Sequence, residues 1–270
     1  MKEWIKKSDL ILPKRKSDSR KGENGKVLII GGSPDYVGAL ALAGLSALRS
    51  GTDWVTVAAP TKVGWAVNCL SSDLVVKKFL GNYFSNRHLN ILLKEEKDYD
   101  IVLIGNGIGL KSLNFCKNYI KKSKKRLVID ADALKCVNID WVNNSILTPN
   151  EFEFECILKN SKVKNKNGLQ KKLRDNVIIL KGEVDEIITG NKIFYNKIGN
   201  AGMTKAGTGD VLAGLSLGFY SQNNNALMSA KLASYYNGLI GDLLLKKHKG
   251  YFYLASDIVE EIEKIIKKKL

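Results

Sequence analysis

The chain has 270 residues, of which 44% are hydrophobic and 26% are charged, and its formal net charge is +16. These values are ordinary for a globular protein, and the length suits one large α/β domain. No apolar run reaches the roughly 18 residues of a membrane span, and the charged N-terminus lacks the apolar core of a secretory signal. We therefore predict a single-domain cytoplasmic protein, residues 1–270, without a membrane segment.

The four cysteines and two histidines do not show the spacing of a zinc site. We expect the cysteines to be reduced thiols in a reducing compartment. The lysines are spread along the chain without interleaved aromatic residues, so nucleic-acid binding is not expected as the main function. A basic surface that attracts anionic metabolites explains the positive charge more simply.

Short β-branched apolar runs recur along the chain after a polar, basic arm at residues 1–24. Runs of this kind mark strands that are covered on both faces of a sheet. The predicted strands are Lys26–Ile30, Trp54–Ala58, Ile101–Ile104, Leu127–Ile129, Ser145–Leu147 and Val177–Leu180. In an open parallel sheet, ligands bind beyond the carboxyl ends of the strands. We therefore expect one crevice, formed by the loops that begin at Gly31, Gly105, Asp130, Thr148 and Lys181.

Helical patterns alternate with these strands. Small residues and leucines from Gly38 to Ser50 predict a helix that packs closely on its neighbours, with Gly51 as its C-terminal cap. Further helices are predicted over residues 210–220, 226–247 and 256–268. Between Asp185 and Tyr195, two apolar runs flank Gly190-Asn191 and predict a β-hairpin with a two-residue turn. The fold class is therefore α/β: a central, mostly parallel sheet flanked by helices, with a hairpin at one edge.

The strongest chemical motif is Gly207-Thr208-Gly209-Asp210, directly before an apolar helical pattern. Glycines let successive backbone N–H groups point at one spot, and the helix N-terminus adds partial positive charge there. Such an anion hole suits phosphoryl transfer, and Asp210 could accept the proton of a substrate hydroxyl. The alternative is that Thr208 or Asp210 only caps the helix.

Other candidates lie at strand ends. Gly105-Asn106-Gly107-Ile108-Gly109 is either a phosphate loop or a tight turn, and no Walker A motif occurs anywhere. Asn150 and Glu153 could lie near a hydrated Mg²⁺, or they could form a helix cap. Of Asp130 and Asp132, one could serve the site while the other caps a helix. Lys181 could contact a phosphate or be merely exposed.

Several segments, in this order, resemble the NAD(P)H-hydrate dehydratase family of the ribokinase-like superfamily. The resemblance runs from about Pro13 onward. The matching segments are Arg15–Gly25, Val27–Ser33, Tyr36-x-Gly38-Ala39, Asp130–Leu134, Thr148-Pro149, Lys181-Gly182 and Asn200–Gly214. It implies a ribokinase-like fold and an enzyme that dehydrates (S)-NAD(P)H-hydrate back to NAD(P)H. ADP or ATP, with Mg²⁺, would phosphorylate the ring hydroxyl, and phosphate would then leave.

The resemblance also implies roles for individual residues. Asp210 would be the base, and the amides of Gly207, Thr208 and Gly209 would stabilise the transferred phosphoryl group. The residues expected to line the dinucleotide site are Ser33, Tyr36, Gly38, Ala39, Gly107, Asn150 and Asp210. The residues expected to face the phosphate donor are Lys181, Asn200, Gly202 and Gly209. A homo-oligomer, with a tetramer possible, is implied, and any epimerase would be a separate protein.

The chain also departs from the family. Asn150-Glu151-Phe152-Glu153 follows Thr148-Pro149 where many relatives have His-Pro-Gly-Glu, and this version is closer to small-molecule kinases. Asn106 replaces a frequent proline. A kinase of a sugar, hydroxymethylpyrimidine or thiazole alcohol is therefore the alternative enzyme, and a basic nucleotide-binding or nucleic-acid-binding protein is the non-enzymatic one. The sequence leaves the choice of donor open, with ADP favoured over ATP, and it does not indicate which hydrate is preferred.

Overall fold

The computed structural model describes residues 2–222 and 225–267, and within them ten strands form one sheet. The strands are β1 (Glu3–Trp4), β2 (Lys26–Ile30), β3 (Trp54–Pro60), β4 (Val75–Phe79), β5 (Ile101–Ile104), β6 (Arg126–Ile129), β7 (Ile146–Leu147), β8 (Val177–Leu180), β9 (Asp185–Ile188) and β10 (Ile193–Asn196). Their order is β1-β10-β9-β8-β7-β6-β5-β2-β3-β4. Only β9 runs antiparallel to its neighbours in this described sheet, which confirms the mostly parallel arrangement.

Helices cover both faces of the sheet. They are α1 (Gly38–Arg49), α2 (Thr61–Leu70), α3 (Leu89–Glu95), α4 (Leu113–Lys122), α5 (Glu151–Asn160), α6 (Lys166–Gln170), α7 (Thr208–Ser221), α8 (Ala226–His248) and α9 (Ala255–Lys267). Val27 and Ile29 of β2 face the core beneath α1, α2 and α7–α9, whereas Leu28 and Ile30 face the core beneath α3–α6. This alternation explains why the run is apolar throughout. The predicted helix end at residue 268 lies outside the described residues.

The first residues of the chain do more than the predicted arm. Glu3–Trp4 forms β1, which pairs in parallel with β10 and lies beyond the hairpin. The hairpin itself is as predicted, since the Thr189 N–H donates to the Lys192 carbonyl at 2.9 Å across Gly190-Asn191. At the opposite edge, β4 was not predicted from the sequence, because two lysines interrupt its apolar pattern.

Close contact between α1 and α7 sets how near the two helices lie to each other. A Cβ added at Gly214 would lie 2.2 Å from the carbonyl oxygen of Ala43, and one added at Gly218 would lie 1.8 Å from Ser50 Oγ. Any larger side chain at these two positions would therefore push the helices apart. The small residues of the predicted helix 38–50 thus serve the contact with α7, which carries Asp210 in its first turn.

All four cysteines are free thiols. Among the helices of the described chain, none combines the length and apolar character that crossing a bilayer requires.

Candidate active site

The loops at the carboxyl ends of the central strands converge, as the sequence predicts. Asn106 follows β5, Asp130 follows β6, and Lys181 follows β8. Gly105 makes the approach possible, because a Cβ there would lie 1.9 Å from the Asp130 carbonyl oxygen. Ala131 then turns the chain out of β6 with φ at 52°, a conformation uncommon for a residue with a Cβ.

Asp210 lies in the first turn of α7 and is partly buried. Asn106 Nδ2 donates to its Oδ1 at 2.6 Å, and this is the one hydrogen bond to the carboxylate found in the described chain. Burial and the negative charge of Asp130 raise the pKa of Asp210 from 3.8 to about 6, against the opposing effects of Asn106 and Lys181. A carboxylate with a pKa near 6 is ionised at neutral pH yet basic enough for general-base catalysis.

The start of α7 is not capped by a side chain. Gly207 occupies the N-cap position with φ at 95°, and neither Thr208 nor Asp210 acts as the cap. Thr208 Oγ1 instead donates to the carbonyl oxygen of Met203 at 2.6 Å. The Thr208 amide donates to the carbonyl oxygen of Lys205 at 3.3 Å. Because the side-chain cap is missing, the positive end of α7 is left to other anions. Anion binding by the amides of Gly207, Thr208 and Gly209 stays a prediction.

Lys181 lies between this helix end and a buried carboxylate. Its ammonium is 3.6 Å from the position that a Cβ on Gly209 would take, and it donates to Asp130 Oδ1 at 3.2 Å. Thr148 Oγ1 donates to the same Asp130 oxygen at 2.7 Å. Burial acts to lower the pKa of Lys181, but Asp130, Glu153 and Asp210 outweigh it and raise that pKa. Lys181 is therefore a stable cation beside the predicted anion hole, rather than an isolated surface lysine.

The helix-cap alternative for Asn150 and Glu153 is the arrangement found in the structure. Asn150 Oδ1 accepts from the Glu153 amide, and Glu153 Oε2 accepts from the Asn150 amide, both at 2.9 Å. This is a capping box at the start of α5. Burial raises the pKa of Glu153, although the Lys181 ammonium, 3.8 Å from Oε2, opposes that rise.

The metal role predicted for Glu153, beside a hydrated Mg²⁺, stays a prediction. One of its oxygens is already engaged by an amide and faces a cation, and a second cation would compete with Lys181. Across residues 2–222 and 225–267, no cluster of three or more His, Cys, Asp or Glu side chains is placed to share a metal ion. Asp132, the other acidic residue after β6, pairs with Lys135 at 2.6 Å. Within the described residues it makes no hydrogen bond to Asp130, Thr148 or Lys181.

Part of the predicted dinucleotide wall lies together in the structure, at Gly107 and the segment from Tyr36 to Ala39. A Cβ on Gly107 would lie 2.5 Å from the Tyr36 carbonyl oxygen and 3.1 Å from Ala39 Cβ, so these two loops touch. Ser33 is buried, whereas the Tyr36 side chain is 60% exposed. Nothing lies within 4 Å of the Cβ position of Gly38, which leaves space at the start of α1. The structure brings these residues together, and their contact with a dinucleotide stays a prediction.

Asn200, predicted to face the donor, uses its side chain within the protein. Its Oδ1 accepts from the Gly202 amide at 3.0 Å and from the Tyr253 hydroxyl at 2.6 Å, while its Nδ2 donates to Asp242 at 3.0 Å. Lys205 Nζ donates to the Tyr253 carbonyl at 2.7 Å. Asn200 therefore orders the loop that leads into Gly207, and a direct role for Asn200 or Gly202 in nucleotide binding stays a prediction.

Sequence reasoning missed two members of the central network, Asn106 and Thr148, as site residues. Both lie within sequence motifs, but no local pattern assigns a role to either. The available signal was position: each is the first or second residue after a predicted strand, at the same sheet edge as Asp130. Asn106 was noted only as a replacement for proline, whereas its side chain joins Asp130 and Asp210.

Comparison with known proteins adds independent evidence. The family model described as NAD(P)H-hydrate dehydratase matches residues 27–264. The bifunctional NAD(P)H-hydrate repair enzyme of Methanocaldococcus jannaschii is 41% identical over 95% of this chain and 51% of its own length. The ADP-dependent (S)-NAD(P)H-hydrate dehydratase of Nitrosopumilus maritimus is 33% identical over 95% of this chain and 93% of its own. The chain thus spans about half the length of the bifunctional relatives that it matches.

Solved structures agree with the sequence relatives. A ribokinase-like superfamily protein from Enterococcus faecalis superposes with a TM-score of 0.85 at 26% identity, over 98% of this chain and 95% of that one. The ADP/ATP-dependent NAD(P)H-hydrate dehydratase of Bacillus subtilis, co-crystallised with ATP and Mg²⁺, gives a TM-score of 0.79 at 25% identity, over 95% and 94%. These similarities confirm the predicted ribokinase-like fold.

Proposed function

Because the chain belongs to the NAD(P)H-hydrate dehydratase family, we propose that it converts (S)-NAD(P)H-hydrate back to NAD(P)H with a nucleotide as phosphate donor. The observation that carries this proposal is the environment of Asp210. Its carboxylate, with a pKa of about 6, lies in the first turn of an uncapped helix whose Gly209 is close to the Lys181 ammonium. A candidate base, an uncapped helix N-terminus and a cation thus lie together at one edge of the sheet.

The proposed reaction has two steps. In the first, Asp210 accepts the proton of the ring hydroxyl while that oxygen attacks the terminal phosphorus of the nucleotide and the nucleotide's bridging P–O bond breaks. The negative charge that develops on the phosphoryl oxygens is stabilised by the α7 N-terminus and Lys181. In the second, the ring C–O bond breaks, phosphate leaves and a neighbouring ring proton is lost. The net change removes one water from the ring and restores the dihydronicotinamide.

We propose ADP as the donor, in line with the name of the Nitrosopumilus maritimus relative. ATP is the other candidate, since the Bacillus subtilis relative is named for both nucleotides and was co-crystallised with ATP and Mg²⁺. Glu153 and its neighbours do not form a preformed metal site, so Mg²⁺ is proposed to enter with the nucleotide phosphates. Mg²⁺ usually keeps several waters and takes substrate phosphates as ligands.

A homo-oligomer, with a tetramer possible, is a separate proposal. Its support is an apolar surface beside β4, the outer strand at this end of the described sheet. Large apolar side chains there are more than half exposed, namely Trp65, Leu70, Leu80 and Ile91. Exposed apolar surface beside a free strand edge is typical of association sites. Light scattering on the purified protein would measure the mass, and a monomer of 29.9 kDa at micromolar concentration would refute it.

The catalytic proposal is tested by incubating the protein with hydrated NADH or NADPH, Mg²⁺ and either ADP or ATP. Recovery of the dihydronicotinamide absorbance is followed together with phosphate release, with the Asp210→Asn variant as control. Equal amounts of both products, formed only with Asp210 present, would support the dehydratase and identify its donor. No recovery with either nucleotide would refute it, and a screen of small alcohols for a stable phosphorylated product would then test the kinase alternative.

A further inference from the structure

Asn106 joins two carboxylates of the candidate active site. It is the second residue after β5, following Gly105, and its side chain is fully buried. Its Nδ2 donates to Asp210 Oδ1 at 2.6 Å and to Asp130 Oδ2 at 2.9 Å, so both amide hydrogens are used. The reversed amide is excluded, because it would turn Oδ1 toward two acceptors. The Gly32 amide holds the Asn106 backbone carbonyl at 2.9 Å.

The other end of the Asn106 amide is unpaired, a property that it shares with the amide oxygen of Asn237 in the described chain. Asn106 Oδ1 is buried and has no hydrogen-bond partner among the described residues. Asn176, also buried, behaves differently: its Oδ1 accepts from the Ser145 amide at 3.0 Å, and its Nδ2 donates to the Val142 carbonyl at 2.9 Å. Asn176 thus satisfies both ends of its amide, as most buried polar groups do. Asn106 leaves one end unsatisfied and directs the other at two acidic groups.

We propose that Asn106 is a positioning residue that holds Asp210 in its reactive orientation and joins it to the network of Asp130, Thr148 and Lys181. It holds Oδ1 of Asp210 and leaves Oδ2 available for the proton of the substrate hydroxyl. Restricting the base to one orientation before the substrate binds is a form of preorganisation. This inference rests on the proposed function, since it presumes that Asp210 is the base.

The same contacts predict the direction in which the pKa of Asp210 shifts when one of its neighbours is changed. The Asn106 hydrogen bond stabilises the ionised carboxylate and so lowers the pKa of Asp210, whereas the charge of Asp130 raises it. The other charged group that acts on Asp210 is Lys181, which lowers the pKa and is itself paired with Asp130 and Glu153. Removing the Asn106 amide therefore shifts the pKa of Asp210 up, and neutralising Asp130 shifts it down.

The test compares Asn106→Ala with Asn176→Ala, which removes a buried amide elsewhere. The pH dependence of kcat/KM is measured for both variants, for Asp130→Asn and for the unmodified protein. For Asn106→Ala we expect the acidic limb to move up by about half a pH unit or more, and kcat at neutral pH to fall about tenfold with little change in the substrate KM. Asp130→Asn moves the acidic limb to lower pH. Asn176→Ala lowers thermal stability but leaves the acidic limb at the same pH.

A second readout does not depend on catalysis. The Asp210 carboxyl carbon is titrated by NMR in protein carrying ¹³C-labelled aspartate, with the signal assigned by its loss in Asp210→Asn. An Asp210 pKa that is unchanged in Asn106→Ala, or an unmoved acidic limb in an active and folded variant, overturns the inference. If Asn106→Ala does not fold, Asn106→Ser is subjected to the same two measurements. Inactivity of the unmodified protein together with a shifted NMR titration would refute the proposed function and leave the positioning contact intact.

Discussion

Two aspartates at opposite ends of the sheet are used in opposite ways. Asp53 precedes β3 at its amino end, and its side chain is 5% exposed. Its Oδ2 accepts from the amides of Gly22 and Asn24 and from Asn24 Nδ2 at 2.9–3.1 Å, and its Oδ1 pairs with Arg15 at 2.6 Å. Asp210, beside the carboxyl ends, has one hydrogen bond in the described chain.

This difference in hydrogen bonding separates a structural carboxylate from a reactive one. Burial acts to raise the pKa of Asp53, but its donors outweigh burial and hold that pKa below 3.8. With one donor and Asp130 nearby, Asp210 has its pKa raised to about 6. Asp53 fastens the N-terminal segment to the sheet, and both of its oxygens are held by donors of that segment. Asp210 keeps an oxygen free, which is the property that a general base needs.

The largest expected effect separates the two residues by activity. Asp210→Asn removes the base, so we expect kcat to fall by roughly 10²–10⁴-fold. Asp53 lies at the amino end of β3, away from the candidate site, so we expect kcat of Asp53→Asn to stay within about twofold of the unmodified value. Both variants are assayed by absorbance recovery and phosphate release at a temperature where circular dichroism shows them folded. Comparable losses in both would break the comparison, because fold disruption would then explain both.

The next effect concerns pH. If Asp210 is the base, kcat/KM falls about tenfold for each pH unit below its pKa of about 6 and levels off above it. The Asp53→Asn variant should keep this acidic limb unchanged, since the pKa of Asp53 lies lower. Initial rates from pH 5 to 8 at limiting hydrate concentration measure the limb. A profile that is flat through pH 6 in active, folded protein would mean that another group accepts the proton.

Whether a feature of the candidate site can be predicted depends on how far apart in the sequence its interacting residues lie. The sequence predicts Asp210 and Lys181 as site residues because each lies at the boundary of an element with a clear local pattern. The bonds of Asn106 to Asp130 and Asp210 join residues 24 and 104 positions apart, and no local pattern reports such contacts. The bond between Asn200 and the Tyr253 hydroxyl is equally non-local, and the predicted role of Asn200 toward a phosphate donor stays a prediction.

The fold shows the same limit. Buried strands such as β2 and β5 were predicted with their exact bounds, because a sheet covered on both faces requires continuous apolar runs. The two-residue β1 is too short to carry any periodicity, and its pairing with β10 depends on where the hairpin lies. The lysines of β4 are those of an edge strand, where charged residues are tolerated.

A smaller effect concerns the free energy of unfolding. The contributions of Asp210 and Asp53 to it change with pH in opposite directions. The raised pKa of Asp210 means that the folded state binds its proton more tightly, so its contribution falls as pH rises from about 4 to 6. The lowered pKa of Asp53 gives stability that is present above about pH 4 and is lost as pH falls through the folded value. Asp210→Asn should therefore stabilise the protein at pH 7, by at most about 2–3 kcal/mol, and Asp53→Asn should destabilise it by about 1–3 kcal/mol.

Urea unfolding of both variants and the unmodified protein at pH 4.5 and 7 measures these differences. The gain from Asp210→Asn should shrink at pH 4.5, where the unmodified residue is largely protonated in the folded state. A gain of equal size at both pH values would indicate a change in packing rather than the removal of a buried charge.

The smallest effect tests which contacts of Asp53 matter. Arg15 is 55% exposed, so its ion pair with Asp53 is screened by solvent and should contribute only about 0.2–1 kcal/mol. Arg15→Gln should therefore lower the free energy of unfolding by that amount, less at high salt, and leave kcat/KM unchanged. Urea unfolding at two salt concentrations measures the difference. A loss as large as that of Asp53→Asn would show that Asp53 depends on its charge partner Arg15 rather than on backbone amides. A small loss would leave the amides of Gly22 and Asn24 as the groups that make Asp53 structural.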